Sequence, residues 1–308
     1  MSKTIFKDFS ESKAFIITGP TSGIGRATAL ELAKHGTVIL VGRNPKKLDE
    51  LQNIIEQKGQ YAVSVVCDIS DMISVRHAAQ QIIELGLPIA GLLNNAGIMP
   101  SKATKSVQGW DMTFATNHLG AFELTELLAS HLPDGANIVF IASAIEDPER
   151  KPAKVMGMRG GRFISVEASV RGEWKEGGSK MPGTDAYATS KQCILASAMA
   201  FARENPRLHF NAVEPGITRG TSLGGESTNA IVRFIFGYIM AMIPPFSTYS
   251  STPDKSAKVI AGILTDESGR TGVYFDEKGQ PMLGSLLSQD PKFQDLVVAE
   301  TRSFLSKM

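Results

Sequence analysis

Short unbroken apolar runs alternate along the chain with segments whose apolar residues return every third or fourth position. Ala14–Thr18 (AFIIT) reads as a buried strand, and 23–35 as a helix with Ile24, Ala27, Leu30 and Leu32 on its apolar side. The alternation continues with strands at 38–41, 63–66, around Leu92 and Leu93, and at 138–142. Helices at 45–57, 71–85 and 110–130 lie between them, and one at 186–203 precedes strands at 210–213 and 273–275. Strand and helix in regular turn predict an α/β fold: a doubly wound parallel sheet with helices on both faces. No internal repeat or linker interrupts it, so residues 1–308 are expected to form a single domain.

Two stretches break the rhythm. Residues 144–182 are rich in charge and glycine, with fourteen Asp, Glu, Lys and Arg between Glu146 and Lys180. That composition suits a solvated insertion and not a sheet element. The insertion begins just after Ser143 and ends just before Tyr187, so it is either a flap over a pocket or a surface decoration. Phe163 and Trp174 are its large apolar side chains with reason to pack. Residues 217–252 form a second excursion. Its apolar run, 234–243, suits a pocket wall or a subunit contact, which keeps a homo-oligomer within the reading.

Composition narrows the function classes. With 308 residues, 43% hydrophobic and 20% charged, the chain is ordinary globular protein and can bury a core without a staple. A net charge of +1 gives no electrostatic case for nucleic acid. Cys67 and Cys193 make neither a metal-ligand spacing nor a disulfide framework, so no metal is expected. The first thirteen residues are polar and lack the apolar core of a signal peptide, and no run is long enough for a membrane span. A cytoplasmic setting is the simplest expectation.

The first strand runs into Thr18-Gly19-Pro20-Thr21-Ser22-Gly23-Ile24-Gly25 and then a helix. Glycines admit close backbone approach to a pyrophosphate, and the helix start presents free N–H groups and a positive dipole end. The bland reading is a glycine-rich turn with no ligand. The second strand ends in Val41-Gly42-Arg43-Asn44, with no carboxylate to accept from a ribose 2′-hydroxyl. Arg43 can instead pair with a 2′-phosphate, with Lys46 or Lys47 adding charge, which points to NADP(H). The competing reading is a solvated strand-end arginine.

Tyr187 and Lys191 stand at i and i+4 near the start of a helix, on one face. An ammonium beside a phenol stabilises phenolate and tunes the tyrosine for acid/base work. The pair alone is common on amphipathic helices. Other residues turn it into a site. Ser143 follows the fifth strand, Asn94-Asn95-Ala96-Gly97 follows the fourth, and Asp68 ends the third. Asn117 sits in the helix before the fifth strand, where a buried amide needs a partner. Each has a bland reading as cap, turn or surface polar group. Together they gather at the strand ends where parallel sheets bind ligands.

From about residue 12 to 220 the chain resembles the classical short-chain dehydrogenases/reductases. The resemblance is carried by the T-G-x-x-x-G-x-G turn, Asp68, the N-N-A-G run, Asn117, Ser143, Tyr187, Lys191 and Pro215-Gly216. Asn117-His118-Leu119-Gly120, Asn95-Ala96-Gly97-Ile98-Met99 and Gly272-Val273-Tyr274-Phe275 resemble its retinol-dehydrogenase-like and protochlorophyllide-reductase-like branch. The resemblance implies a Rossmann-type fold, and hydride exchange between NADP(H) and an alcohol or carbonyl group of a small, apolar substrate. It implies that Tyr187 is the acid/base and that Lys191 holds the nicotinamide ribose and depresses the tyrosine pKa. Ser143 would bond the substrate oxygen and Asn117 would anchor a relay water. Asp68 and Ile69 would contact adenine, Asn95 to Gly97 would line the cofactor, and Pro215, Gly216 and Thr218 would pass the nicotinamide.

Two departures stand out. Ser143 and Tyr187 are 44 positions apart, farther than in most members. The family's threonine five positions after the Pro215 proline is here Gly220, so the carboxamide contact falls to Thr218 or Thr221. The alternative function is a catalytically silent NADP(H)-binding regulatory protein. The presence of all four catalytic residues favours the enzyme.

Overall fold

A computed structural model describes residues 13–218, 244 and 246–308. Six strands, β1 (Ala14–Thr18), β2 (Thr37–Gly42), β3 (Ala62–Val66), β4 (Ile89–Asn94), β5 (Asn137–Ile141) and β6 (His209–Val213), run parallel in the order β3-β2-β1-β4-β5-β6. β7 (Ile217–Thr218) pairs apart from this sheet, in parallel with β8 (Ser250–Ser251). β9 (Tyr274–Phe275) extends the main sheet beside β6, and β10 (Pro281–Met282) closes that edge antiparallel.

The sheet is mostly parallel because its strands are sequestered on both faces. Every residue of β1, β2 and β5 is buried, so no hydrophobic-polar alternation survives in them. Successive residues still point to opposite sides. Ala14 and Ile16 of β1 enter one core cluster, and Phe15 and Ile17 the other.

Helices α1 (Gly23–Leu32) and α2 (Pro45–Glu56) cover one face, and α3 (Met72–Glu84) the other. Asn44 caps α2 by accepting from the Lys47 N–H at 3.1 Å, with Pro45 in the first turn, and Asp71 caps α3 through Ile73. Each such cap contributes about 1 kcal/mol. The helix expected at 110–130 is interrupted: α4 (Met112–Phe114) passes through a π-helical turn, Ala115–Leu119, into α5 (Gly120–Ala129). Such bulges gather at functional sites, and this one carries Asn117.

The insertion, 144–182, is a correction to its expected solvation. It holds two short helices, α6 (Lys151–Val155) and α7 (Val166–Arg171), and it docks on α8 (Thr184–Glu204) and on the last helix of the chain. Those last elements are α9 (Pro253–Leu264), α10 (Leu286–Gln289) and α11 (Pro291–Leu305). Val166 and Val170 are buried, and the Val166 N–H donates to Glu300 of α11 at 2.8 Å. Arg162 N–H reaches Thr189 of α8 at 2.8 Å. Phe163 meets Phe293 edge to face at 5.4 Å, and Trp174 lies against Phe114 at 6.4 Å. Most of the charge faces solvent, Glu146 being the buried exception, while a few apolar side chains between the charges make the contact. The apolar run at 234–243, Gly220 and Thr221 lie outside the described residues.

Candidate active site

The strand order reverses between β1 and β4, and a crevice opens outside the carboxyl ends of the strands there. A cleft of about 590 Å³ occupies it. Its walls include Gly19, Thr21, Ser22, Gly23, Ile24 and Gly25 from the first turn, Arg43 and Asn44 after β2, and Asp68 and Ile69 after β3. Asn95, Ala96 and Gly97 after β4, Tyr187 and Lys191 of α8, and Pro215 after β6 complete it. Local turns separated by up to 196 positions thus meet in one place. Lining residues not expected from the sequence are Cys67, Ile98, Thr116 and Ile141. Their signal was available only as proximity to strand ends.

The glycine turn is built for close approach. Gly19 has φ +66°, a region that L side chains avoid, and its N–H donates to Val41 at 2.9 Å. A Cβ on Gly25 would stand 2.2 Å from the Gly19 carbonyl oxygen, so α1 can begin this near the turn only with glycine there. Asn95 staples the arrangement: its Nδ2 donates to Thr18 O at 2.9 Å and Gly19 O at 3.1 Å. Its N–H and that of Ala96 both donate to the Thr18 hydroxyl. Asp68 is oriented by accepting from Ser70 N–H at 2.9 Å and Ser70 hydroxyl at 2.7 Å.

Asn117 has the partners that a buried amide requires. Its Oδ1 accepts from Ile98 N–H at 2.8 Å, and its Nδ2 donates to Ile98 O at 2.9 Å and Ser190 Oγ at 3.0 Å. It ties the loop after β4 to α8. Gly216 and Thr218 stand beyond the cleft wall; the Thr218 hydroxyl donates to Gly216 O at 3.1 Å.

Tyr187 and Lys191 share a face of α8, with Lys191 Nζ 5.6 Å from the phenol ring centre. The ammonium donates to Ile141 O at 2.6 Å. Burial pulls its pKa down to about 8, against the opposing charge of Glu214. The expectation that lysine depresses the Tyr187 pKa is corrected here. Burial pushes the phenol up, Glu214 adds to that, and only the hydrogen bond with Ser143 opposes it. The lysine lies over the ring and is engaged with a carbonyl, so it offers the phenol oxygen little.

Sequence reasoning missed Glu214. It is buried, and its carboxyl accepts from the Gly216 N–H at 2.9 Å and from the Ala144 N–H. The available signal was a lone acid at the end of an apolar strand, directly before Pro215-Gly216. Glu146, one turn after Ser143, is fully buried and accepts from Ser285 N–H at 2.7 Å and from the Ser285 hydroxyl at 2.5 Å. That bond fastens the start of the insertion to the segment before α10.

The family model described as short chain dehydrogenase matches residues 13–156. A provisionally assigned daunorubicin C-13 ketoreductase of a Streptomyces species (strain C5) is 28% identical over 274 residues, spanning 88% of this chain and 86% of its own. Human retinol dehydrogenase 13 is 28% identical over 281 residues, spanning 86% of this chain and 76% of its own. Among solved structures, an uncharacterized protein of Mycobacterium paratuberculosis superposes with a TM-score of 0.68 at 24% identity, over 97% of this chain and 94% of that one. That last likeness speaks for the fold.

Proposed function

The chain belongs to the short-chain dehydrogenase/reductase family, in its retinol-dehydrogenase-like branch, and on that premise we propose that it interconverts an alcohol and a carbonyl group of a small, apolar substrate using NADP(H). The observation that carries the reading is the cleft itself. A glycine cradle at one end and Tyr187 with Lys191 at the other line a single crevice, with Ser143 a neighbour of the Tyr187 phenol.

The residues present suit that cofactor. The start of α1 offers N–H groups and a dipole to a pyrophosphate, with Gly19 and Gly25 keeping side chains out of the way. Where an NAD-binding site carries a carboxylate, Arg43 and Lys47 line the wall, and they would hold a 2′-phosphate. When bound, the nicotinamide supplies or accepts the hydride.

The chain's own residues handle the oxygen. Tyr187, held protonated by burial, gives its phenol proton to the substrate oxygen in reduction and takes it back in oxidation. Ser143 holds the same oxygen from a second direction. Lys191 would bind ribose hydroxyls, and Asn117 keeps the loop after β4 in register with α8. Relatives named for a retinol and for a daunorubicin ketone support an apolar alcohol or carbonyl substrate. Among the described residues no helix is long and apolar enough to cross a membrane, and both cysteines are buried and unpaired. A cytoplasmic setting is part of the same proposal.

The test is NADPH oxidation over a panel of aldehydes, ketones, quinones and steroids, with Tyr187→Phe beside the wild type. Turnover should fall at least about a hundredfold in the variant while NADPH binding survives. Equal turnover would remove Tyr187 from its role. Binding without any turnover in the wild type would favour the silent regulatory protein.

A further inference from the structure

Arg150 opens α6, seven positions after Ser143, and its guanidinium lies over the ring of Tyr249, 4.8 Å from the ring centre. Both residues are half-buried. Among the described residues the guanidinium makes neither an ion pair nor a hydrogen bond, so the ring face is the contact that fixes it. The base it reaches from is itself held: Glu146 is fastened to Ser285, and the Arg150 N–H donates to Asp147 O at 3.3 Å.

Tyr249 ends a short turn, Phe246–Tyr249, and leads directly into β8. β8 pairs with β7, Ser250 beside Ile217 and Ser251 beside Thr218. The Tyr249 carbonyl oxygen would stand 2.7 Å from a Cβ on Gly216, whose φ of +77° already favours glycine, so the two backbones are in contact. The Ser256 hydroxyl donates to Pro215 O at 2.9 Å and bonds the Ser251 hydroxyl at 2.8 Å. Pro215 lines the cleft. A continuous path thus runs from the insertion through Arg150, Tyr249 and Gly216 to the cleft wall.

A ladder of two residues on each side is marginal alone and must be held at its flanks. Ser256 supplies one hold and the stack supplies the other. A guanidinium over an aromatic face is attracted by the ring quadrupole, more so where water is partly excluded. Arginine suits that work because its planar, weakly hydrated group stacks on a ring, which a lysine ammonium does less well. We propose that the Arg150–Tyr249 stack is a strut between the insertion and the base of the second excursion, and that both are positioning residues holding the turn 215–218 against the cleft. The inference rests on the reading of that turn as the segment that would pass the nicotinamide.

The experiment compares the wild type with Arg150→Met, Arg150→Lys, Tyr249→Leu, Tyr249→Phe and the Arg150→Met/Tyr249→Leu double variant. Methionine keeps an apolar stem without the charge, and phenylalanine keeps the ring face. The readouts are amide hydrogen exchange at 216–218 and 250–251 without cofactor, NADPH affinity by fluorescence titration, and kcat and KM with ordinary and deuterated NADPH. Arg150→Met and Tyr249→Leu should each speed exchange at those amides by about fivefold and weaken NADPH binding by a similar factor, the scale of one half-buried cation–π contact. The double variant should go no further than either single one. Tyr249→Phe, the conservative variant, should match the wild type, and Arg150→Lys should exchange about twofold to threefold faster than it. At saturating NADPH the loss should fall on kcat, with a larger deuterium isotope effect, and leave the substrate KM within about twofold. A merely structural contact would lower the urea midpoint and leave kcat, KM and the isotope effect of the folded enzyme where they were.

Unchanged exchange at 216–218 in Arg150→Met overturns the proposal, as do effects of the two single variants that add in the double one. The cycle also separates the stack from the charge. Glu214 feels the charge of Arg150, and an effect carried that way would appear in Arg150→Met but not in Tyr249→Leu, which overturns the strut as well. Should Tyr249→Leu fail to fold, Arg150→Lys decides, because it keeps the charge and loses the planar stack: faster exchange upholds the strut and wild-type exchange overturns it. Normal turnover beside unchanged exchange strikes this inference alone. A wild type that binds NADPH and turns nothing over strikes the functional reading, while exchange and affinity still judge the strut.

Discussion

Gly25→Ala tests how closely the first helix must approach the turn before it. The added Cβ would lie 2.2 Å from Gly19 O and 2.5 Å from Asn95 Nδ2, whereas ordinary contact begins at 3.4 Å. Either the turn or the Asn95 amide must move by about 1 Å. That amide makes two hydrogen bonds, to Thr18 O at 2.9 Å and Gly19 O at 3.1 Å. Breaking both in a partly buried site costs about 2–4 kcal/mol, because carbonyls are left without a partner. Alanine returns about 1 kcal/mol of helix propensity, so the net loss of stability should be about 1–3 kcal/mol. The atoms that move are those that would face the pyrophosphate, so NADPH affinity should fall at least about tenfold. Gly262→Ala is the matched control. It makes the same change in α9, at an exposed glycine with nothing within 4 Å of the new Cβ. It should stabilise by about 0.5–1 kcal/mol and leave affinity alone. Urea denaturation and fluorescence titration with NADPH measure both. If Gly25→Ala binds NADPH as well as Gly262→Ala does, the close approach of α1 is not what makes the cradle.

Three further outcomes are expected. Arg43→Asp should weaken NADPH binding by roughly tenfold to a hundredfold and improve NADH, the scale of one charge-assisted hydrogen bond; a wild type that binds both equally in titration contradicts the 2′-phosphate role. His118 is fully buried, with Nε2 2.9 Å from the Thr301 hydroxyl, and burial holds its pKa down to about 3. The unfolded chain binds that proton near pH 6.5, so the stability linked to His118 is present above 6.5 and is lost as pH falls toward 3, by up to about 5 kcal/mol. His118→Gln should flatten that slope in urea melts across the same range, and an unchanged slope excludes the histidine as its source. Phe163→Ala removes the edge-to-face contact with Phe293 at 5.4 Å and should cost about 1–3 kcal/mol. A loss under about 0.5 kcal/mol would mean that the insertion sits on the surface without bearing on the fold.

Local patterns carried much of this molecule. β1 was legible to the residue, because a strand buried on both faces leaves an unbroken apolar run with glycine at its end. The phosphate turn was legible because glycine spacing is a statement about nearby backbone, and the Tyr187–Lys191 pair because i and i+4 share a helix face whatever the tertiary context. The end of β2, with Arg43 and without a carboxylate, was readable in the same way.

Only the tertiary structure decided what depends on distant partners and on loss of water. The insertion's composition reads as solvated, yet Val166 and Phe163 find Glu300 and Phe293, 134 and 130 positions away. Glu146 takes its buried bonds from Ser285, 139 positions on. The π-helical turn around Asn117 accompanies side-chain bonds to Ile98 and Ser190 that no helical periodicity announces. The direction of the Tyr187 pKa reversed because the sequence states which charges are near along a helix, but not how much solvent the phenol has lost. Glu214 was invisible for the same reason: a carboxyl at a strand end takes up buried partners only when folding brings the Ala144 and Gly216 N–H groups around it.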